Sequence, residues 1–242
     1  MSKRLEELDW QRTSLGEISL RRRIDPVLNV DVYEVRLGED YLMSSLFTVA
    51  EVELASLGLA AVPGSDLDVV VGGLGLGYTA RAVLADDRIR TLQVVEALPA
   101  VIAWQQNRLL PGSADLVDDS RCRLIEGDFF AALTGPGFGG DGPDRWHAIL
   151  VDIDHSPTHV LHPSHRPFYT APGLGRLADR LHPGGVFGLW SDDPPDADFT
   201  KVLAEVFVDV RAHVVTFPNP FTNSQSANTV YVARSPGRPP SA

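Results

Sequence analysis

The feature that most constrains the fold is a strand that runs straight into a glycine-rich turn and then into a helix. Asp68-Val69-Val70-Val71 leads into Gly72-Gly73-Leu74-Gly75-Leu76-Gly77, and a helical pattern begins at Tyr78. Glycines let the backbone turn sharply and pass close to a ligand, while the helix start points unpaired N–H groups at it. The alternation continues beyond the turn. Apolar runs lie at 67–71, 91–95, 123–125, 148–151 and 185–189, with helical patterns at 78–84, 97–110, 129–133 and 173–181 between them. Short, near-continuous apolar strands separated by helices imply a parallel sheet covered on both faces. A further helix is read at 196–207, then strands at 208–217 and 229–233, an antiparallel hairpin completing seven strands. The fold class is therefore α/β and Rossmann-like, with a mostly parallel seven-stranded sheet.

The first 47 residues read differently. Apolar positions alternate through Leu15, Ile18 and Leu20, then Val30, Val32, Tyr33 and Val35, then Tyr41-Leu42-Met43, with turns at Pro26 and Gly38-Glu39-Asp40. This is the pattern of a small antiparallel unit of about three strands. Thr48 opens a helix whose apolar face is read as Val49, Val52, Leu54, Leu57 and Leu59. The expected organisation is an N-terminal β unit over 1–47, a nucleoside-binding catalytic domain over 48–234, and a flexible Pro/Ser/Gly-rich tail over 235–242.

Three strand tips converge on one ligand. Nineteen residues past Gly77, the second strand ends in Glu96, where a carboxylate can accept both hydroxyls of a ribose, with Ala97 beside it. The third strand ends in Gly127-Asp128-Phe129, where Asp128 can accept from an adenine amino group and Phe129 or Leu98 can pack the ring. All these loops fall on the carboxyl edge of the sheet, where open α/β folds bind ligands. Gly72, Gly73, Gly75, Gly77, Glu96, Ala97, Asp128 and Phe129 are thus the expected nucleoside contacts. Glu96 has an alternative use, favouring the start of the helix that follows.

The fourth strand delivers Asp152-Ile153-Asp154-His155-Ser156-Pro157. Acids at a buried strand end are candidates for proton abstraction or for holding a cation, so Asp152 and Asp154 are the expected catalytic pair. His155, His159, His162 and His165 follow closely. Pro157 and Pro163 oppose a single helix across them, which favours a hydrogen-bonded lid loop over a metal site. No metal is therefore expected.

Net charge of −11 argues against a nucleic-acid partner. The single cysteine, Cys122, excludes a disulfide framework or cysteine-based zinc site and reads as a small core residue. The first ten residues carry no apolar signal region and no stretch has membrane-spanning length, so a cytoplasmic protein without membrane contact is expected.

The sequence resembles the spermidine synthase-like aminopropyltransferases, a branch of the S-adenosylmethionine methyltransferase superfamily. The resemblance runs through the glycine turn, Glu96, Gly127-Asp128-Phe129, Asp152, Phe168-Tyr169 and Thr216-Phe217-Pro218-Asn219-Pro220. It implies ribose binding by Glu96, adenine binding by Asp128, and proton acceptance from the attacking amine by Asp152. It also implies decarboxylated S-adenosylmethionine as donor, a small-molecule amine as acceptor, a place in polyamine biosynthesis and a homodimer. Tyr169 is the implied substrate contact in the Phe168-Tyr169 pair.

The sequence departs from the family pattern at four places. Leu74-Gly75 replaces the acid of the family's glycine turn. One residue is inserted after Asp152. A tyrosine-histidine-glutamate triplet is missing, its nearest counterpart being Thr48-Val49-Ala50-Glu51 with only Glu51 or Glu53 able to substitute, and the late tyrosine is replaced near Pro220-Phe221. Asp192 and Asp193 can supply replacement contacts to an ammonium, or can cap the helix at 196–207. The leading expectation is aminopropyl transfer. The alternatives are an S-adenosylmethionine-dependent methyltransferase, with or without a metal at Asp152 and Asp154, and a non-catalytic nucleoside-binding relative.

Overall fold

A computed structural model describes residues 5–13, 16–135, 137–139 and 142–237. Leu15 and the last five residues of the expected tail lie outside that set. The chain forms two sheets. A four-stranded antiparallel sheet, in sequence order, comprises β1 (Leu5–Thr13), β2 (Gly16–Ile24), β3 (Asp31–Leu37) and β4 (Asp40–Ser44). The alternating pattern anticipates three of these strands and leaves β1 as a charged terminus. The strand holds because its charges pair across the ladder: Glu6 takes Arg22 at 2.9 Å and Glu7 takes Arg21 at 3.5 Å. A bulge at Glu7/Asp9 turns Asp9 so that its carboxylate accepts the indole N–H of the buried Trp104 at 2.6 Å. The small sheet is therefore pinned to the larger unit.

The second sheet has seven strands. They are β5 (Leu67–Gly72), β6 (Ile89–Glu96), β7 (Cys122–Glu126), β8 (Trp146–Val151), β9 (Leu181–Ser191), β10 (Val208–Asn219) and β11 (Ser224–Arg234). Their spatial order is β10-β11-β9-β8-β5-β6-β7. The pairs among β5–β9 are parallel, and β11 runs antiparallel between β9 and β10. The mostly parallel sheet with a C-terminal hairpin is the expected fold. Pro218 is accommodated because β10 is an edge strand.

Alternation sorts the central strands between two cores. Leu67, Val69 and Val71 face one side with Ala148 and Leu150, while Val70, Ile149 and Val151 face the other. On the first side lie α1 (Val49–Ala60), α2 (Tyr78–Leu84) and α3 (Pro99–Gln106). On the second lie α5 (Phe129–Thr134), α6 (Ala171–Ala178) and α7 (Ala197–Ala204). A short helix, α4 (Ser113–Val117), and a 3₁₀ segment over Pro163–Tyr169 were not anticipated. The third helix is shorter than read, because Leu98 is extended, Pro99 fills the first helical position and Arg108 turns left-handed just past the end.

The first helix buries part of the face expected, Leu54 and Leu59, together with a set of small residues. Ala50, Leu54, Ala55, Gly58 and Leu59 are inside, whereas Val49 and Val52 are exposed. Small residues decide this, because they let α1 come close to the sheet. A Cβ added at Gly58 would sit 2.7 Å from Leu150. The close approach carries Glu51, in the first turn of α1, to the carboxyl edge of the sheet.

The reversal of strand order lies between β5, which neighbours β6, and β8. Ligands bind at such a switch point in open α/β sheets, and both the glycine turn and Asp152 leave the sheet there.

Candidate active site

The glycine turn is shaped by what presses on it. Gly73 has φ +92°, and a Cβ there would run into the backbone carbonyl oxygen of Asp152. Two strand ends can therefore touch, and the Asp152 amide donates to the Gly72 carbonyl at 2.8 Å. At Gly75, φ is +46° and a Cβ would lie 2.6 Å from the sulfur of Met43. The last strand of the small sheet thus roofs the position where the family pattern has an acid. Gly77 caps α2 in a left-handed conformation.

Glu96 is tied to the same turn. Its two carboxylate oxygens accept the amides of Leu74 at 3.0 Å and Leu98 at 2.9 Å. Burial pushes its pKa up, and the surrounding amides act in the opposite direction. Glu96 thus holds the glycine turn and the chain entering α3, the second of its two expected uses. Ala97 is exposed.

Asp128 is exposed and caps α5, with Oδ1 accepting from Phe130 at 2.9 Å and Ala131 at 3.1 Å. Phe129 requires a correction. It is only 2% exposed and belongs to the core on the far side of the sheet, its ring against Gly72 and stacked on Phe138 at 5.0 Å. It cannot offer a face to an adenine, because its faces are already used in packing. Leu98 retains that possibility.

Around Asp152 the site is acidic. A cleft enclosing about 620 Å³, open mouth included, is lined by Glu51, Asp152, His155, Trp190, Met43 and the glycine-turn residues Leu74 to Gly77, among others. No lysine or arginine is among its described lining residues. Glu96, Asp128 and Phe129 are not among them, whereas the expected nucleoside contacts Gly75 and Gly77 are. Asp152 accepts a hydrogen bond from the Thr79 hydroxyl at 2.7 Å, and burial raises its pKa to about 6 against the lowering effect of that bond. Glu51 is raised to about 8, first by burial and then by the negative charges of Asp152 and Asp192. Near neutral pH the pair therefore carries about one negative charge, on Asp152.

Asp154 does not join this pair. It is 1% exposed, and its oxygens take the Leu161 amide at 2.7 Å, His165 Nδ1 at 2.8 Å and the Tyr169 hydroxyl at 2.8 Å. It organises the loop between β8 and α6, and its expected role beside Asp152 in proton transfer is corrected accordingly. Tyr169 is likewise turned inward, its hydroxyl committed to Asp154 and its ring packed on Phe168 and Phe199. It supports the loop and does not contact an acceptor in this conformation.

The four histidines divide. His165 pairs with Asp154, His162 caps the 3₁₀ segment, and the rings of His155 and His159 lie 4.8 Å apart. Among the described residues no cluster of three or more His, Cys, Asp or Glu side chains is arranged to hold a metal. Asp192 accepts from the Asn228 amide at 2.7 Å. The following helix is capped by Asp196, which removes the capping role considered for Asp192 and Asp193.

Sequence reasoning missed Thr79 and Trp190. A hydroxyl in the first turn of the helix after a glycine turn is a signal for Thr79, since that turn faces the strand edge. The indole N–H of Trp190 is buried, has no hydrogen-bond partner and belongs to a cleft-lining residue. Only the length of the apolar run into Ser191 could have placed it there.

No protein-family model matches the chain. It is similar to polyamine aminopropyltransferase 2 of Pseudomonas aeruginosa, with 28% identity over 162 residues, which is 63% of this chain and 43% of that protein. It also matches the polyamine aminopropyltransferase of Mycobacterium tuberculosis, at 28% identity over 67% of this chain and 31% of that protein. A spermidine synthase structure in complex with the transition-state analogue AdoDATO superposes with a TM-score of 0.73 at 18% identity, covering 94% of this chain and 73% of that one. The spermidine synthase of Thermotoga maritima gives 0.70 at 17%, over 94% and 72%.

In sequence the chain is similar to polyamine aminopropyltransferases, and it shares the fold of the solved spermidine synthases.

The solved spermidine synthases establish the shared fold, and the curated relatives join it to aminopropyltransferase sequences. The chain spans less than half the length of the curated relatives it matches. Among the described residues no helix is long and apolar enough to cross a membrane.

Proposed function

We propose that this chain transfers an aminopropyl group from decarboxylated S-adenosylmethionine to an amine, with Asp152 as the proton acceptor. The observation that carries the reading is the cleft beside the glycine turn, acidic and without a described lysine or arginine in its lining. An intact methionine tail would bring a carboxylate beside Asp152, whereas the decarboxylated tail ends in an ammonium. The relatives named as aminopropyltransferases, and the spermidine synthase solved with the transition-state analogue AdoDATO, agree with this choice.

Glu96, the glycine turn and Asp128 would hold the nucleoside, Asp152 and Asp192 would supply negative potential for an ammonium, and Glu51 would offer it a carboxyl oxygen. The amine attacks the carbon beside the sulfonium as the carbon–sulfur bond breaks, releasing methylthioadenosine, and Asp152 takes the proton the nitrogen sheds. Asp152 has the character of such a base, being the charged member of a buried carboxyl pair near neutral pH. Holding the amine in line with the breaking bond would supply much of the rate.

Methyl transfer from the intact cofactor is the second reading. It draws on Gly75, which leaves the turn without the acid of the family pattern. Incubation with decarboxylated S-adenosylmethionine and putrescine, cadaverine, agmatine or spermidine is expected to release methylthioadenosine with at least one of the four. Silence across the panel, with methyl transfer from the intact cofactor to any of these amines, would favour the second reading.

A further inference from the structure

Thr79 is the second residue of α2, 3% exposed, and no part of the glycine turn itself. Its hydroxyl stands between two elements of the site. It donates to Asp152 Oδ2 at 2.7 Å and lies 3.3 Å from the backbone carbonyl oxygen of Glu51. A hydroxyl has one proton, and the shorter contact with a charged acceptor takes it. Among the described residues Thr79 is the one side chain that hydrogen-bonds Asp152, and Oδ1 receives no such bond. The Asp152 amide is separately held by the Gly72 carbonyl at 2.8 Å. The backbone of Asp152 is thus fixed by the strand edge, while the rotation of its carboxylate is fixed by α2.

We propose that Thr79 is a positioning residue that anchors Asp152 by Oδ2 and so assigns Oδ1 as the oxygen that meets a cationic or proton-donating ligand in the cleft. The assignment deepens the proposed transfer reaction and rests on it for its catalytic meaning, but the anchoring itself is a property of the ligand-free protein. The other titratable groups around Asp152 come from every neighbouring element: Glu51 from α1, Tyr78 from α2, His155 from the loop after β8, and Asp192 from the end of β9. None of these donates to Asp152. Loss of the Thr79 hydroxyl therefore leaves the buried carboxylate with no side-chain donor, and burial alone then governs its titration.

The test is a carbon-13 carboxyl titration of the full chain without ligand, comparing the unsubstituted protein, Thr79→Val, Thr79→Ser and Asp152→Asn, the last identifying the Asp152 resonance. Thr79→Val preserves shape and removes the donor, and it is expected to move the Asp152 midpoint upward by about one pH unit. Thr79→Ser restores the hydroxyl and is expected to return the midpoint to its original value. If Thr79→Val does not fold, Thr79→Ala removes the donor without adding bulk and carries the same expectation. A midpoint unmoved in the folded valine or alanine variant overturns the proposal. The same variants assayed for turnover should shift the acid limb of the rate profile upward with little change in donor KM. Absence of turnover in the unsubstituted chain would count against the transfer reaction while the titration still decides the role of Thr79.

Discussion

Asp152→Asn is expected to reduce aminopropyl transfer by about 10²- to 10⁴-fold, the usual contribution of a positioned proton acceptor. Binding of the donor should weaken far less than the rate falls, because its proposed nucleoside contacts lie at Glu96, the glycine turn and Asp128, and only its ammonium tail meets Asp152. The pH profile sharpens the expectation. Asp152 is raised to about 6 by burial, so proton acceptance requires pH above that value and activity should fall as pH drops through it. The asparagine variant should lose that limb altogether. Glu51, raised to about 8, is mostly neutral in the working range and should not produce a second limb near 6. Rates at several pH values for both proteins, with donor affinity measured separately, check the prediction. An asparagine variant that keeps its rate would remove Asp152 from the chemistry even if the fold and the nucleoside site stood.

Phe129→Ala is expected to destabilise the protein by about 3–5 kcal/mol, as large-to-small changes at buried aromatic positions do. For a chain of this size that corresponds to a fall in Tm of about 10 °C. The ring sits against Gly72, stacks on Phe138, and meets Phe130 and Phe168 edge-on, so its removal empties the core beneath the glycine turn. Thermal unfolding of the purified variant measures it. The alternative role, an adenine-stacking ring, would give the opposite pattern: a large loss of nucleoside affinity with Tm nearly unchanged.

These two residues illustrate what the sequence could reveal. Asp152 was legible because it follows an apolar strand directly, and a strand end at a switch point has few places to send its first polar side chain. Gly73 was legible as a turn residue, although the reason it must be glycine, the backbone of Asp152 passing beside it, belongs to a strand 79 positions later. The helix Tyr78–Leu84 and the parallel strands followed from patterns of hydrophobicity that local sequence carries. Orientation was the harder quantity. Phe129 and Tyr169 sit beside site residues in the chain, yet packing turns both rings into the core. Asp154 lies two residues from Asp152 and would face the same way in an extended chain. The chain leaves the strand after Val151, and Asp154 turns inside to meet His165 and Tyr169. Partners eleven and fifteen residues away cannot be read from spacing. The first strand was missed for a related reason: its stability comes from charge pairs with Arg21 and Arg22, not from an apolar face. Cys122, read as a small core residue, is half-buried at the start of β7, and burial pushes its thiol up to about 12.

The acidic cleft also accounts for how a turn lacking the family's acid could serve the proposed cationic substrate. Gly75, roofed by Met43, leaves no room for the acid of the family pattern, while Asp152 after β8 and Asp192 from the end of β9 supply negative potential from other elements. The central claim is that this potential selects the decarboxylated donor. Isothermal calorimetry near pH 7.5 with S-adenosylmethionine and with its decarboxylated form tests it most directly. Tighter binding of the decarboxylated form by about tenfold or more, roughly 1.4 kcal/mol, is the predicted result. Equal affinity, or a preference for the carboxylated nucleoside, would contradict it.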